Sequence, residues 1–277
     1  GHGAHGVYGA VTQYLLHGCG DVLCRRAVAR GVVGTGNVIV DGLRYAHHAD
    51  GKIGARGICR QLCHRVHRII SADVEKVANI VFLEYLEQYP ETNVVEMDTV
   101  VGPEPGKVIL TMLFRNSTFM LAFLMDNTKS ESVINVFHFL QRELGTEVFS
   151  RLFPVILTDR GSEFSNPWAM ECDEYGEILS KVFYCNANAP YQKGRLEKNH
   201  EFLRYIMPKG TSFDAMTQKY ITLAVNHINS TARGSLNGRT PFELASMLLD
   251  EKLFKLLHLE PVEPDKVLLK PALLKQR

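Results

Sequence analysis

The sequence predicts an α/β protein in which helices cover a mixed β-sheet and a helical segment follows at the C-terminal end. Apolar runs with strand length come first, strands then alternate with helical periods, and helical periods alone follow residue 210. This order of elements is typical of a mixed sheet with helices on its faces. A hydrophobic content of 45% in 277 residues is sufficient for such a core.

The first predicted elements are one helix and three strands. A helix is predicted over Ser71–Tyr89, because it has a capping residue at its start and Pro90 follows its end. A strand over residues 92–100 comes next. The apolar run VILTMLFRNSTFMLAFLM is interrupted by polar residues at 115–117, which favours a β-hairpin over a membrane span.

Strands and helices alternate after the hairpin. We expect a helix from about Glu131 to Leu144, a strand that ends at Asp159, a strand at Val182–Cys185, a helix that carries Glu197 and a helix over Thr217–Asn229. Thr240, Pro241 and Glu243 then have the spacing of a helix start, with a capping threonine, a proline at the first position and a capping-box glutamate.

Two of the predicted strands end in an aspartate. Asp98 ends the strand expected within TNVVEMDTV, where Val95 and Met97 alternate with Glu96 and Asp98 as in a strand with one face in the core. Asp159 closes the apolar part of FPVILTDRGSEF. Because ligand sites in open α/β sheets lie outside the carboxyl ends of strands, we expect the two carboxylates at one edge of the sheet.

A third carboxylate, Glu197, lies on a predicted amphipathic helix. At about 100° per residue, the apolar residues of YQKGRLEKNHEFLRYI fall on one side and Glu197 on the other. Three oxygen donors from three elements can bind divalent metal ions. The same helix region carries basic residues that suit phosphate contacts, although an ordinary solvated helix face remains the alternative. These residues are Lys193, Arg195, Lys198, Arg204 and Lys209.

The first seventy residues differ in composition from the rest. They contain 13 of the 22 glycines and seven of the 11 histidines, but no glutamate. The thiols and imidazoles of CRQLCHRVH imitate zinc ligands, yet no CxxC pair anchors a site, and a chance scatter is the favoured interpretation. We interpret this segment as a divergent, truncated or out-of-frame remnant. The residues that imitate zinc ligands are Cys59, Cys63, His64 and His67, with Cys19 and Cys24 as further thiols.

The net charge of +1 conceals an uneven distribution. Residues 1–70 carry nine Lys/Arg against three Asp/Glu, and residues 71–277 carry 22 against 27. Overall charge therefore does not indicate a nucleic-acid-binding protein. Because no signal-peptide pattern and no uninterrupted apolar span is found, and six cysteines fit reduced thiols, we expect a cytoplasmic protein with no membrane partner.

From about residue 93 onward the chain resembles bacterial insertion-sequence transposases of the IS-thirty type. The resemblance rests on four strings in the same order, which are VVEMDTVVG, VILTDRGSEFSNP, VFYCNANAPYQKGRLEKNHEFLRYIMPKGTSFD and HINSTARGSLNGRTPFEL. It implies an RNase H-like catalytic core of the DDE integrase class at residues 93–210. A linking helix at 71–92 would precede this core, and a helical extension at 211–277 would follow it.

The resemblance also implies a site and its chemistry. Asp98, Asp159 and Glu197 would be the catalytic triad and would hold two Mg²⁺ ions, with Mn²⁺ as a possible substitute. These ions would serve strand cleavage and strand transfer at insertion-sequence ends, in the bacterial cytoplasm and associated with the nucleoid. A synaptic complex that joins two DNA ends would require a homo-oligomer. The resemblance leaves Glu163, Glu201 and Asp126 as acidic bystanders.

Three side chains lie near the end of the implied catalytic domain. His227, Asn229 and Arg233 are candidates for DNA contact, although a buried or hydrogen-bonded structural role is favoured for His227.

Two other functions remain open from the sequence. Transposases of this type carry a helix-turn-helix before the core, and no such motif is recognisable in residues 1–70. The chain is therefore a DDE transposase, a catalytically silent remnant that binds DNA or intact transposase, or a metal-dependent nuclease without strand transfer.

Overall fold

The computed structural model describes residues 82–103, 105–185 and 194–275. The chain divides into two units. The first consists of residues 1–87 with 166–168, and residues 82–87 of it are helical. The predictions for residues 1–70, and the first part of the helix predicted over Ser71–Tyr89, lie outside the described residues.

The second unit, residues 88–165 and 169–277, contains the sheet. The strands are β1 (Val94–Val101), β2 (Val108–Phe114), β3 (Phe119–Met125), β4 (Val155–Thr158) and β5 (Lys181–Tyr184). The helices along the chain are α1 (Ser130–Leu144), α2 (Thr146–Leu152), α3 (Pro167–Glu171), α4 (Gly194–Ile206), α5 (Gln218–Asn229), α6 (Pro241–Leu248) and α7 (Glu251–Leu257). Short 3-10 helices lie at Ser162–Phe164, Gly234–Leu236, Pro264–Lys266 and Pro271–Lys275.

The five strands form one mixed sheet in the order β3-β2-β1-β4-β5. β2 pairs antiparallel with both β1 and β3, whereas β4 pairs parallel with β1 and with β5. The sheet thus begins with three antiparallel strands and continues with two parallel strands. The predicted fold class, a mixed sheet flanked by helices, is confirmed.

The core is built around the β2–β3 hairpin that the interrupted apolar run predicts. Every residue of β2 is buried, so both faces of the sheet are covered there. Phe119 of β3 packs against Phe242 and Phe254 with ring centroids 5.5 Å apart in each pair. The helical C-terminal residues thus complete the core of the sheet.

Local sequence signals account for the start of α6. The Thr240 hydroxyl accepts a hydrogen bond from the Glu243 amide at 3.1 Å, and the Thr240 amide donates to Glu243 Oε2 at 2.7 Å. Pro241 occupies the first helical position, where its missing N–H costs nothing. The capping box predicted for α6 is therefore present.

The structure corrects the sequence prediction for β1 in two respects. The strand does not end at Asp98 but continues to Val101, because pairing with β2 extends as far as Val101 while pairing with β4 stops at Glu96. Glu96 is buried, with 1% of its surface exposed. The alternation of Val95 and Met97 with Glu96 therefore does not give β1 a solvent-facing side at this position.

Within the described ranges, no helix is long and apolar enough to cross a membrane.

Candidate active site

Two aspartates follow the residues through which β1 and β4 pair in parallel. Val94 lies opposite Val155 and Glu96 opposite Leu157, and Asp98 and Asp159 each come two positions after the last paired residue of their strand. The Thr158 hydroxyl donates to the Met97 carbonyl at 3.2 Å and continues the connection between the two strands. Asp98 and Asp159 thus follow the paired segments of two adjacent strands.

The Asp98 carboxylate is held from its own strand and faces a histidine. Its Oδ1 accepts a hydrogen bond from the Thr99 amide at 2.9 Å. Its Oδ2 lies 4.0 Å from Nδ1 of His200, on α4. Nε2 of the same ring lies 2.8 Å from the Thr111 hydroxyl, which donates its only proton to the Asp98 carbonyl at 3.0 Å. Nε2 must therefore be the donor in the contact with Thr111.

The loop after β4 turns around Asp159 and brings a further acid to the site. The Gly161 amide donates to Asp159 Oδ1 at 2.9 Å. A Cβ atom on Gly161 would lie 2.6 Å from Glu163 Oε2 and 3.1 Å from Asp159 Oδ1, so the two carboxylates flank this glycine and leave no room for a side chain. Glu163 Oε1 accepts a hydrogen bond from the Thr99 hydroxyl. Glu163 therefore links the β4 loop to β1.

A buried tyrosine supports the turn that carries Glu163. The Tyr184 hydroxyl donates to the Phe164 carbonyl at 2.6 Å. Burial raises the pKa of Tyr184, with the charge of Glu171 acting in the same direction. The phenol therefore stays protonated and serves as a neutral donor.

Glu197 lies on α4 with an exposed side chain, on the side of the helix that the sequence predicts. His200, one turn further on, is the α4 residue whose ring approaches Asp98. In the part of the chain that the structure describes, no three His, Cys, Asp or Glu side chains form a group that could hold a metal ion. Convergence of all three predicted acids on one ion is therefore not observed.

The two strand-end carboxylates nevertheless suit a magnesium site. Mg²⁺ in phosphate-handling proteins is bound through one or two carboxylates, with the substrate phosphate and water completing its shell. Asp98 and Asp159 follow the paired segments of adjacent strands and are side chains of the kind that such a site uses.

The predicted basic residues differ in what they contact. Lys198 and Lys209 are exposed. The Arg195 guanidinium donates to the Arg115 carbonyl, and Arg204 Nη2 lies 3.4 Å from the Val101 carbonyl oxygen. The last member of the predicted set, Lys193, lies outside the described residues.

The three candidates for DNA contact near the end of α5 have structural contacts. His227 is buried, and its Nδ1 accepts from the Leu268 amide at 3.0 Å. Asn229 is buried and exchanges hydrogen bonds of 2.9 and 2.8 Å with the backbone of Met120. Burial lowers the pKa of Arg233 to about 10, and its guanidinium carbon lies 3.5 Å from the centroid of the Phe202 ring.

Sequence reasoning missed four residues of this site. The family resemblance leaves Glu163 as an acidic bystander, and the sequence patterns assign no role in the site to Thr99, His200 and Glu96. The available signals were their sequence positions, since Thr99 follows Asp98 and His200 lies one helical turn after Glu197. Position alone does not reveal which side chains meet across the fold.

Comparisons with known proteins find similarity to transposases and to a putative integrase. The chain is 34% identical over 144 residues to the putative integrase ORF3 of Spiroplasma virus SpV1-R8A2 B, covering 51% of this chain and 42% of the relative. It is 24% identical over 157 residues to the transposase of insertion sequence element IS4351 of Bacteroides fragilis, covering 56% and 45%. It is 31% identical over 64 residues to the transposase InsI of IS30A of Escherichia coli, covering 23% and 17%.

These matches span less than half the length of each relative. Among solved structures, the catalytic core domain of BIV integrase aligns with 56% of this chain and 93% of that core, with a TM-score of 0.41 and 18% identity. No protein-family model matches the chain. The chain is thus similar in sequence to insertion-sequence transposases, including those of the IS30 type, and to an integrase.

Proposed function

We propose that this sheet is the catalytic core of a transposase that cuts and joins DNA strands at the ends of an insertion sequence. The observation that carries the proposal is the parallel pairing of β1 with β4, because Asp98 and Asp159 each follow the last paired residue of their strand by two positions. The relatives, which are named transposases and an integrase, supply the reaction class.

Asp98 and Asp159 would hold the divalent cations, and Glu197 would supply the third carboxylate of the DDE set from α4. Mg²⁺, two ions in number, or Mn²⁺ in its place, would supply positive charge that activates the attacking water or 3′-hydroxyl. The hydrogen bonds to Asp98 from the Thr99 amide and to Asp159 from the Gly161 amide orient the two carboxylates before DNA binds.

The DNA backbone contacts the basic surface around α4. Phosphate contacts contribute most of the affinity of such proteins, and the exposed Lys198 and Lys209 side chains are available for them. Arg195 and Arg204 lie on the same helix, and Lys193 belongs to the predicted set by its sequence position alone. Two DNA ends are held together by a homo-oligomer, and the reaction takes place on DNA in the bacterial cytoplasm and nucleoid.

The proposal is tested with a labelled DNA duplex that carries an insertion-sequence end, incubated with Mg²⁺ or Mn²⁺ and a target duplex. We expect cleavage and joining by the wild-type protein, and a loss of at least about a thousandfold in rate for Asp159→Asn, since a carboxylate ligand is removed from the metal site. Asp126→Asn is the matched control, because it removes an exposed carboxylate that follows β3.

Two further variants identify the third acid. Glu197→Gln is expected to abolish cleavage, whereas Glu163→Gln, which removes the negative charge from the acceptor of the Thr99 hydroxyl, is expected to reduce it. Full activity of Asp159→Asn would overturn the proposed site. Cleavage without joining would assign a nuclease, and binding without cleavage would assign a silent remnant.

A further inference from the structure

Glu96 is a buried charged residue beside the site. Its exposed fraction of 1% is the lowest of any carboxylate among the described residues. It precedes Asp98 by two positions on β1, so both side chains leave the same face of the sheet. A buried carboxylate is stable only when it is paired and hydrogen-bonded.

Both oxygens of Glu96 have partners. Oε1 accepts from Arg115 Nε at 2.8 Å, and Oε2 accepts from the backbone amide of Leu196 at 3.1 Å. Leu196 is the third residue of α4, where amides have no acceptor within the helix and a negative charge is favourable. The Arg195 guanidinium also donates to the Arg115 carbonyl. A single carboxylate thus connects β1, the residue after β2 and the first turn of α4.

This connection acts on the helix that carries the third predicted acid. Glu197 directly follows Leu196, so its Cα is about 3.8 Å from that of the anchored residue. One turn later, His200 approaches Asp98 and contacts Thr111. α4 therefore meets the sheet at two polar points, Glu96 and Asp98, on the same face of β1.

Apolar packing alone would leave the axial position of α4 less well defined. The buried Leu196, Leu203 and Ile206 side chains hold α4 against the core, but apolar contact is non-directional. A shift by one residue moves a helix by about 1.5 Å and turns it by about 100°. Such a shift would move Glu197 away from the strand-end aspartates.

We propose that Glu96 is a positioning residue whose buried carboxylate fixes the first turn of α4 and so sets the place of Glu197 relative to Asp98 and Asp159. This inference rests on the proposed function. Glu96 does not contact the reacting atoms. It acts through the Leu196 amide.

The test compares wild type with Glu96→Gln, which preserves shape but places an NH₂ group against either Arg115 Nε or the Leu196 amide. At saturating DNA and Mn²⁺, we expect the single-turnover cleavage rate to fall at least tenfold while the Kd for DNA changes less than twofold. Hydrogen exchange of the Leu196 amide is expected to accelerate at least tenfold relative to amides within α5.

Ala245→Gly serves as the stability control, because it weakens a buried position of α6 without touching α4 or the aspartates. If Glu96→Gln does not fold, Glu96→Asp takes its place, since it keeps the charge but shortens the side chain by one methylene. Its single-turnover cleavage rate must then fall at least tenfold while its Kd for DNA changes less than twofold. A cleavage rate reduced no more than in Ala245→Gly would overturn the proposal. If the wild-type protein does not cut DNA, the proposed function fails. Independently of cleavage, an unchanged rate of hydrogen exchange at the Leu196 amide in Glu96→Gln would refute the positioning role of Glu96.

Discussion

Two regions of the sheet are held together by different kinds of interaction. We define the helical side as β3 with α5, α6 and α7, where side chains such as Phe119, Phe242 and Phe254 pack against one another. We define the carboxylate edge as Asp98, Thr99, Asp159, Gly161 and Glu163, which are connected by a few directional hydrogen bonds. Substitutions on the helical side should therefore change stability, and those at the carboxylate edge should change activity.

The largest loss of stability is expected from Phe119→Ala. Phe119 is fully buried between Phe242 and Phe254, so its truncation leaves a cavity and lowers the free energy of unfolding by about 3–5 kcal/mol. Urea denaturation measures the loss. Leu248→Ala, at an exposed position of α6, is the control. A reduced cleavage rate per folded molecule would contradict the separation between the two regions.

A smaller loss is expected from Asn229→Ala. The Asn229 side chain bonds both the N–H and the C=O of Met120, as a neighbouring strand would, on the outer strand β3. Removing it leaves two buried backbone groups unsatisfied and lowers the free energy of unfolding by about 2–4 kcal/mol. Thermal unfolding measures this loss, and hydrogen exchange at Met120 locates it. Protection of Met120 equal to wild type would refute the assigned contact.

The contact between His227 and the C-terminal segment predicts a pH dependence on the helical side. Burial lowers the pKa of His227 below its usual 6.5, and the neutral Nδ1 accepts from the Leu268 amide. Because the unfolded chain binds the proton more readily, this contribution to stability is complete above about pH 6.5 and is lost as the pH falls through the lowered pKa.

Denaturation as a function of pH, together with limited proteolysis of residues 262–275, checks this prediction. His227→Gln is the comparison, since it cannot titrate in this range. We expect the wild-type protein to lose more stability between pH 7 and pH 5 than the variant. An equal loss in both would exclude His227 as the source.

The smallest change in stability is expected from Thr99→Val at the carboxylate edge. The substitution removes the hydrogen bond to Glu163 at constant shape and costs about 1 kcal/mol or less at this half-buried position. The cleavage rate is nevertheless expected to fall about tenfold, since a free-energy change of about 1.4 kcal/mol in the transition state has that effect. Thr222→Val, at a half-buried position of α5, is the matched control. Equal rates for the two variants would remove the Thr99–Glu163 contact from the mechanism.

Much of the fold was predictable because its signals are local. The interrupted apolar run predicted the β2–β3 hairpin, and the spacing of Thr240 and Glu243 predicted the start of α6. The parallel neighbours β1 and β4 carry Asp98 and Asp159 beyond their paired residues, and the meeting of these two carboxylates stays a prediction. The extent of β1 was not predictable, since it depends on how far β2 pairs with it.

By itself, the sequence determined the β2–β3 hairpin, the start of α6 and the position of Glu197 on the exposed side of α4. Only the tertiary structure decided the partners of Glu96, Glu163 and Asn229. Those contacts join residues 100, 64 and 109 positions apart. Periodicity and capping act over a few residues, whereas contacts at this separation depend on how the elements pack.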